Sequence, residues 1–265
     1  MSRLALVITT HERPDALAAV LDGVSRQSES PAEIVIADDG SGAATRDLIS
    51  GFARLSTVPV RTVRQEHQGF RVARLRNLAI AATLVDYLVF IDGDMLLHAD
   101  FVADHARSAR RGWFTQGVRA HADPVLTRKL LDDPAAPPGP FTRGLGGLRR
   151  VYLLRSRTAA ALSRRLANAF VAVKSCNFGA WRDDLVRVNG FNEAFEGWGP
   201  EDKELALRLE HAGVRRQTLL FGGIATHLHH PPASRAALPA NLALLEQTRR
   251  QRLIRCEKGL SAHFG

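Results

Sequence analysis

Three short apolar runs, each closed by polar residues, set the strongest limit on what this chain can fold into. LALVIT at 4–9 runs into Thr10, His11, Glu12 and Arg13. EIVIAD at 33–38 runs into Asp39, Gly40 and Ser41, and YLVFI at 87–91 runs into Asp92-Gly93-Asp94. Runs of this length and apolarity read as buried strands. Helical stripes separate them. Pro14 to Gln27 carries Leu17, Val20, Leu21 and Val24 on one face, with Pro14 suited to a first turn. Ala44 to Leu55 and Arg71 to Thr83 are further helices, with a short strand over 58–63 between them. Ala99 to Arg111 is a helix and Trp113 to Val118 a strand. This βαβα order predicts an α/β fold, a mainly parallel sheet flanked by helices. Ligands of such sheets sit beyond the carboxyl ends of the strands, where this chain gathers its acids and hydroxyls.

Composition narrows the class. With 265 residues and 45% apolar content, the chain can bury a large core without disulfide or metal staples. No apolar run reaches the roughly 18–20 residues of a membrane span. The first ten residues run straight into a strand and do not resemble a secretory signal. The two cysteines, Cys176 and Cys256, form neither a metal-spaced pair nor a disulfide framework. A reducing cytoplasm is the expectation. Charge is uneven: the formal net charge is +9, and nearly all of the excess lies after residue 130. The window 134–182 holds Arg143, Arg149, Arg150, Arg155, Arg157, Arg164, Arg165, Lys174 and Arg182 with no acid. Such a bias fits a polyanionic partner, or a solvated Arg-rich face. Aromatics make up only 6% and no nucleic-acid motif appears, so nucleic-acid binding is not expected.

The chain divides into three stretches. Residues 1–123 hold the βα alternation. Residues 124–172 are loop-rich and basic, opening with a Pro- and Gly-dominated loop at 134–147 and continuing into a helix over 156–171. Residues 173–265 hold CNFGAW (176–181), a helix from Pro200 to Ala212, a strand leading into His227-Leu228-His229-His230, and a terminal helix over 239–259.

Four motifs carry chemistry. Asp92-Gly93-Asp94 places two carboxylates around a glycine at a strand exit, hard oxygen ligands for Mg²⁺ or Mn²⁺ held against phosphates; the same residues also make ordinary turns. In an extended segment His227 and His229 share a face, so both can hold one metal while His230 points away. Mn²⁺ fits such a mixed site and Zn²⁺ is its rival. Trp198-Gly199-Pro200-Glu201-Asp202 sets a flat aromatic beside two acids at a helix start, where the helix dipole favours negative charge. A carboxylate there can act as general base toward a hydroxyl. Gly69 to Asn77 opens a helix carrying Arg71, Arg74 and Arg76, a phosphate-friendly arrangement.

Taken together, TTHERPD (9–15), ADDGS (37–41), QEHQGFRVARLRN (65–77) and FIDGDMLLHADF (90–101) resemble the inverting nucleotide-sugar glycosyltransferases of family 2, which have the GT-A fold. CNFGAWRDDLVRVNGF (176–191), GWGPEDKELALRL (197–209) and HLHHP (227–231) resemble a galactosyltransferase-type C-terminal module. Residues 124–172 carry no motif of either. The resemblance implies that Thr9, His11, Arg13 and Asp39 hold the uracil side of a UDP-sugar and that Arg71 lies near its diphosphate or uracil. Asp92 and Gly93 would line the ribose or metal. Asp94, His227 and His229 would hold Mn²⁺, with Mg²⁺ as the alternative. Trp198 and Glu201 would meet the acceptor, and Asp202 would be the base. The expected reaction transfers a hexose of galactose, N-acetylgalactosamine or glucose type to a glycan or lipid-linked glycan such as lipopolysaccharide core or capsule. The basic half would touch the anionic inner membrane face.

Two rivals come from other classes. A nucleotidyltransferase of related fold would release pyrophosphate, but would want a glycine-rich basic loop after the first strand. A catalytically inactive UDP-sugar-binding module would bind without turnover.

Overall fold

The structure is a computed structural model that describes residues 3–135, 138–146, 148–166 and 172–264. In chain order its first elements are β1 (Leu4–Thr10), α1 (Pro14–Ser25), β2 (Glu33–Asp38), α2 (Ala43–Leu55), β3 (Val60–Arg64), α3 (Val72–Ala82), β4 (Tyr87–Asp92), β5 (Met95–Leu97), α4 (Phe101–Ser108), β6 (Trp113–Gly117) and β7 (Arg119–His121). There follow α5 (Pro124–Asp132), α6 (Arg157–Leu166), β8 (Asn177–Trp181), α7 (Arg182–Arg187), α8 (Glu201–His211), β9 (Arg215–Leu219), β10 (Ala225–His227) and α9 (Leu238–Gln251).

Among the described residues seven strands form one sheet in the order β3-β2-β1-β4-β8-β6-β9. β1, β2, β3 and β4 pair in parallel, as do β6 and β9, while β8 runs antiparallel to both β4 and β6. Strands from 173–265 therefore interleave with strands from 1–123. A smaller sheet, β5-β10-β7, stands beside the site.

The expected strand apolarity has a direct structural reason. Side chains alternate across a strand. Leu4, Leu6 and Ile8 of β1 pack into one core with α1, Ile34, Ile36, Val89 and Ile91. Ala5 and Val7 pack into a second core with Val35, Leu88, Phe90, Phe178 and the helix residues Leu75, Ile80 and Leu205. Both faces are covered, so both sets of residues are apolar.

Several boundaries differ from the sequence expectation. α4 is shorter than 99–111, and the terminal helix stops at Gln251, where Arg252 takes a left-handed conformation (φ 50°) that turns the chain. The expected helix over 156–171 is seen over Arg157–Leu166; its continuation lies outside the described residues. So do residues 136, 137 and 147 of the expected loop and the side chains of Arg149, Arg164 and Arg165. Arg155 is no free surface charge: it pairs with Asp100 at 3.3 Å and Asp104 at 3.1 Å.

One buried ion pair fixes the helix that opens at the site. In α8 Glu204 and Arg208 are fully buried and joined by two contacts of 2.8 Å. Arg208 also donates to the carbonyls of Val188 and Gly190, and Thr248 of α9 donates to Glu204 at 3.0 Å. Glu204→Ala leaves Arg208 buried without its counter-charge, a loss of about 3–5 kcal/mol. Glu246→Ala, which breaks an exposed pair with Arg249, changes stability by less than about 0.5 kcal/mol. Urea unfolding of both variants distinguishes the two environments.

Candidate active site

The carboxyl ends of β1, β2 and β4 and the start of α8 open on one cavity of about 1000 Å³. Its lining includes Thr9, His11, Arg13, Asp39, Asp92, Gly93, Asp94, Trp198, Glu201, Asp202, His227 and His229. Gly93 is needed by contact: a Cβ there would stand 3.0 Å from the Thr9 carbonyl and 3.1 Å from the Thr10 side chain. The Gly93 N–H donates to that same carbonyl at 2.7 Å, which turns the chain between the two acids.

At one end Asp39 is held on both oxygens. Gln65 donates to Oδ1 at 2.6 Å, and His67 Nδ1 lies 2.9 Å from Oδ2. The His11 ring stacks on His67, with centroids 4.1 Å apart and planes 16° apart, and its Nδ1 meets the Asp39 carbonyl at 2.7 Å. His67 was not singled out from sequence. Its signal was its place in QEHQGF, three residues beyond the strand β3.

In the middle lies a candidate metal centre. Asp94 is buried, and its Oδ1 has no hydrogen-bond partner. His227 Nε2 is 3.6 Å from Oδ1, and His230 Nε2 is 3.4 Å from Oδ2. One donor atom from each of the three lies within 4.8 Å of the other two. An orphaned buried carboxylate oxygen facing two imidazoles fits a divalent cation, and mixed oxygen and imidazole donors suit Mn²⁺. Burial, with the charge of Asp92 adding, raises the Asp94 carboxyl to about 6. Burial and then Arg119 lower His227 to about 3, so its imidazole is neutral, as a metal ligand must be.

The histidine pairing differs from the sequence expectation. His230, expected to point away, joins Asp94. His229 lines the cavity but stands outside the cluster, its backbone N–H bonded to Thr127 Oγ1 at 2.8 Å. The reason is local. β10 ends at His227, and Leu228 N–H bonds the Asp94 carbonyl. Beyond the strand the two-residue alternation no longer decides which face a side chain takes.

Arg76 links this centre to the third group of residues. It is buried, and donates to Asp92 Oδ1 at 3.2 Å and to Glu201 Oε1 at 3.1 Å. Asp92 Oδ1 also accepts from Thr9 Oγ1 at 3.1 Å. Arg71 takes a different place: its guanidinium donates to the Glu66 carbonyl at 2.7 Å, and it is absent from the cavity lining. Of the three arginines near α3, burial and pairing select Arg76. Sequence periodicity could not, because Arg76 faces inward by tertiary packing over Phe191, 5.2 Å from its ring centre.

Glu201 and Asp202 sit side by side at the start of α8 with different environments. Glu201 is buried against Arg76, and burial together with the Asp202 charge raises its carboxyl to about 7. Asp202 is half-buried, bonded by the N–H of Lys203 at 2.7 Å and of Ser175 at 3.3 Å. Burial raises it as well, opposed by the nearby Arg76 charge. Trp198 is 38% exposed at the cavity mouth, with Arg235 5.0 Å from its ring centre. Asn241 of α9 holds the Trp198 carbonyl at 3.1 Å.

Comparison with known proteins identifies the family and the fold. The family model "Glycosyl transferase family 2" matches residues 5–170, running through the stretch that carried no recognised motif. The model "N-terminal domain of galactosyltransferase" matches 159–231. Validoxylamine A glucosyltransferase of Streptomyces hygroscopicus subsp. limoneus is 28% identical over 233 residues, covering 80% of this chain and 48% of that protein. Chondroitin synthase of Pasteurella multocida (strain Pm70) is 24% identical, covering 86% and 25%. The chain thus spans about half or less of the length of these relatives. Among solved structures, S. aureus TarS 1–349 in complex with UDP aligns with TM-score 0.64 at 12% identity, covering 98% of this chain and 68% of that one. Mannosyltransferase PcManGT from Pyrobaculum calidifontis, in complex with GDP-Man and Mn²⁺, aligns with TM-score 0.59 at 19% identity, covering 85% and 56%. The fold is GT-A.

Replacing Arg76 by Met tests the bridge. Glu201 has a folded pKa of about 7 against an ordinary 4.5. A raised carboxyl gives stability that is full below 4.5 and is lost as pH rises through 7. Without Arg76 the Glu201 carboxyl rises further, so the deficit of Arg76→Met against wild type is larger at pH 8 than at pH 5. Urea unfolding at the two pH values measures it.

Proposed function

The chain belongs to glycosyl transferase family 2, and on that premise we propose that it moves a hexose from a UDP-sugar to a hydroxyl of a surface glycan, inverting the anomeric carbon. The observation that carries this reading is the meeting, in one cavity, of a strand-exit acid with stacked histidines, an Asp–His–His cluster, and a two-acid helix start beside a tryptophan. The ligands held by the two solved neighbours, UDP in one and GDP-Man with Mn²⁺ in the other, support a nucleotide-sugar donor.

In this reading Thr9, His11, Arg13 and Asp39 hold the nucleoside side, with His67 completing the stack. Asp94, His227 and His230 would hold Mn²⁺, or Mg²⁺ in its place, which when bound supplies positive charge against the departing diphosphate. Trp198 offers its ring face to the acceptor sugar. Glu201, fixed by Arg76, positions the acceptor. Asp202 faces the cavity with only backbone donors and takes the proton of the attacking hydroxyl. The hydroxyl oxygen bonds C1 as the C1–O bond to diphosphate breaks, so one displacement inverts the centre. The basic stretch after residue 130 favours an anionic, lipid-linked acceptor at a membrane face. Among the described residues no helix is long and apolar enough to cross a membrane.

The test is UDP release from a panel of UDP-sugars in Mn²⁺. One donor is hydrolysed slowly, and the release stops in EDTA and in Asp94→Ala. His230→Ala needs roughly tenfold more Mn²⁺ for the same rate, while His229→Ala needs no more than wild type. With acceptor present, Asp202→Asn loses transfer by a factor of about 10²–10⁴. Pyrophosphate in place of UDP, or no release from any donor, would sink this reading.

A further inference from the structure

Arg119 is a half-buried guanidinium in the cavity wall that neither the motifs nor the family resemblance singled out. It stands on β7, whose parallel pairing with β10 sets Arg119 opposite Ala225 and His121 opposite His227. Its Nη1 donates to Cys176 Sγ, and its Nε lies 3.4 Å from His121 Nε2. Among the described residues no carboxylate forms an ion pair with it. The cavity's other inner arginines differ: Arg13 meets Asp94 and Asp15, and Arg76 meets Asp92 and Glu201.

A half-buried charge without a counter-charge is costly, and an incoming anion relieves that cost. Cys176 does not supply one. Burial pushes its thiol up to about 12, so it stays neutral at physiological pH. The charge of Arg119 nevertheless reaches the cavity, where it opposes the rise of Asp94 and adds to the lowering of His227 that burial begins. Its neighbours reach both other groups of the cavity. The strand that carries Arg119 pairs with the strand that ends at His227. Cys176, which accepts from Arg119, follows Ser175, whose N–H goes to Asp202.

Resting on the UDP-sugar reading, we propose that Arg119 binds the diphosphate of the donor, its unpaired guanidinium N–H groups donating to a non-bridging phosphate oxygen. Guanidinium is suited to this because it remains charged and presents donors in a fixed fork.

The experiment is calorimetric titration of uridine, UMP, UDP and UDP-glucuronate into wild type, Arg119→Gln and Arg119→Lys, in Mn²⁺ and in EDTA. Thermal melts check that each variant is folded. The expected result is a loss of about 10- to 100-fold in UDP affinity in Arg119→Gln, the scale of a hydrogen bond to a charged group. The loss persists in EDTA, uridine affinity does not change, and Arg119→Lys recovers part of it. Equal loss for uridine and UDP would reduce Arg119 to a structural role and overturn the proposal, as would unchanged UDP affinity in a folded variant. Weakening of UDP-glucuronate alone would reassign Arg119 to a carboxylate on the sugar. Failure of wild type to bind any uridine nucleotide would instead overturn the donor reading, so the two failures are distinct.

Discussion

The buried guanidinium of Arg76 is the contact on which the site depends. It joins Asp92, at the exit of a central parallel strand, to Glu201, at the start of a helix formed more than a hundred residues later. Three charges that would each be costly alone are held together because they satisfy one another. The arrangement also separates the two adjacent acids of α8. Glu201 is drawn inward to the arginine, and Asp202 is left at the cavity surface with backbone donors. Two carboxylates next to each other in sequence thereby receive different environments, which is how one site obtains different acid–base behaviour from similar groups.

Topology makes this contact available. Because β8 enters the sheet between β4 and β6, the second half of the chain is brought against the strand exits of the first. The same crossing carries β10 alongside β5 and β7, so that His227 stands beside Asp94 and His121. The α8 helix is then fixed from behind by the Glu204–Arg208 pair and its bonds to the 188–190 turn and α9. A rigid scaffold thus holds groups that must be placed to within a fraction of an ångström.

Much of this was legible in sequence, for reasons that are physical. Strands buried on both faces must be apolar, and their polar exits stand out as a consequence; Asp39, Asp92, Gly93 and Asp94, which line the cavity, are legible for that reason. Glu201, Asp202 and Trp198 also line the cavity, and are legible because a tryptophan between glycines, followed by two acids, is unusual for a simple cap. What stayed hidden was set by tertiary packing. Arg76 and Arg71 look alike in a basic helix start, and only burial separates them. His230 stands at Asp94 in place of His229 because the strand ends at His227, two residues before the position to which alternation was extended. His67 reached the site through a loop after β3, and Arg119 through a three-residue strand too short to read. Arg155, one of many arginines in an acid-free window, found its acids in α4 and the residue before it, far away in sequence.

In the proposed reaction a single base, Asp202, serves a one-step displacement at C1. The most direct measurement is the anomeric configuration of the first-formed product, read by proton NMR during early turnover with the donor that the protein accepts. The expected product has the configuration opposite to that of the donor. Retention of the donor configuration would mean attack on the leaving-group face or a second displacement, and would contradict the role given to Asp202.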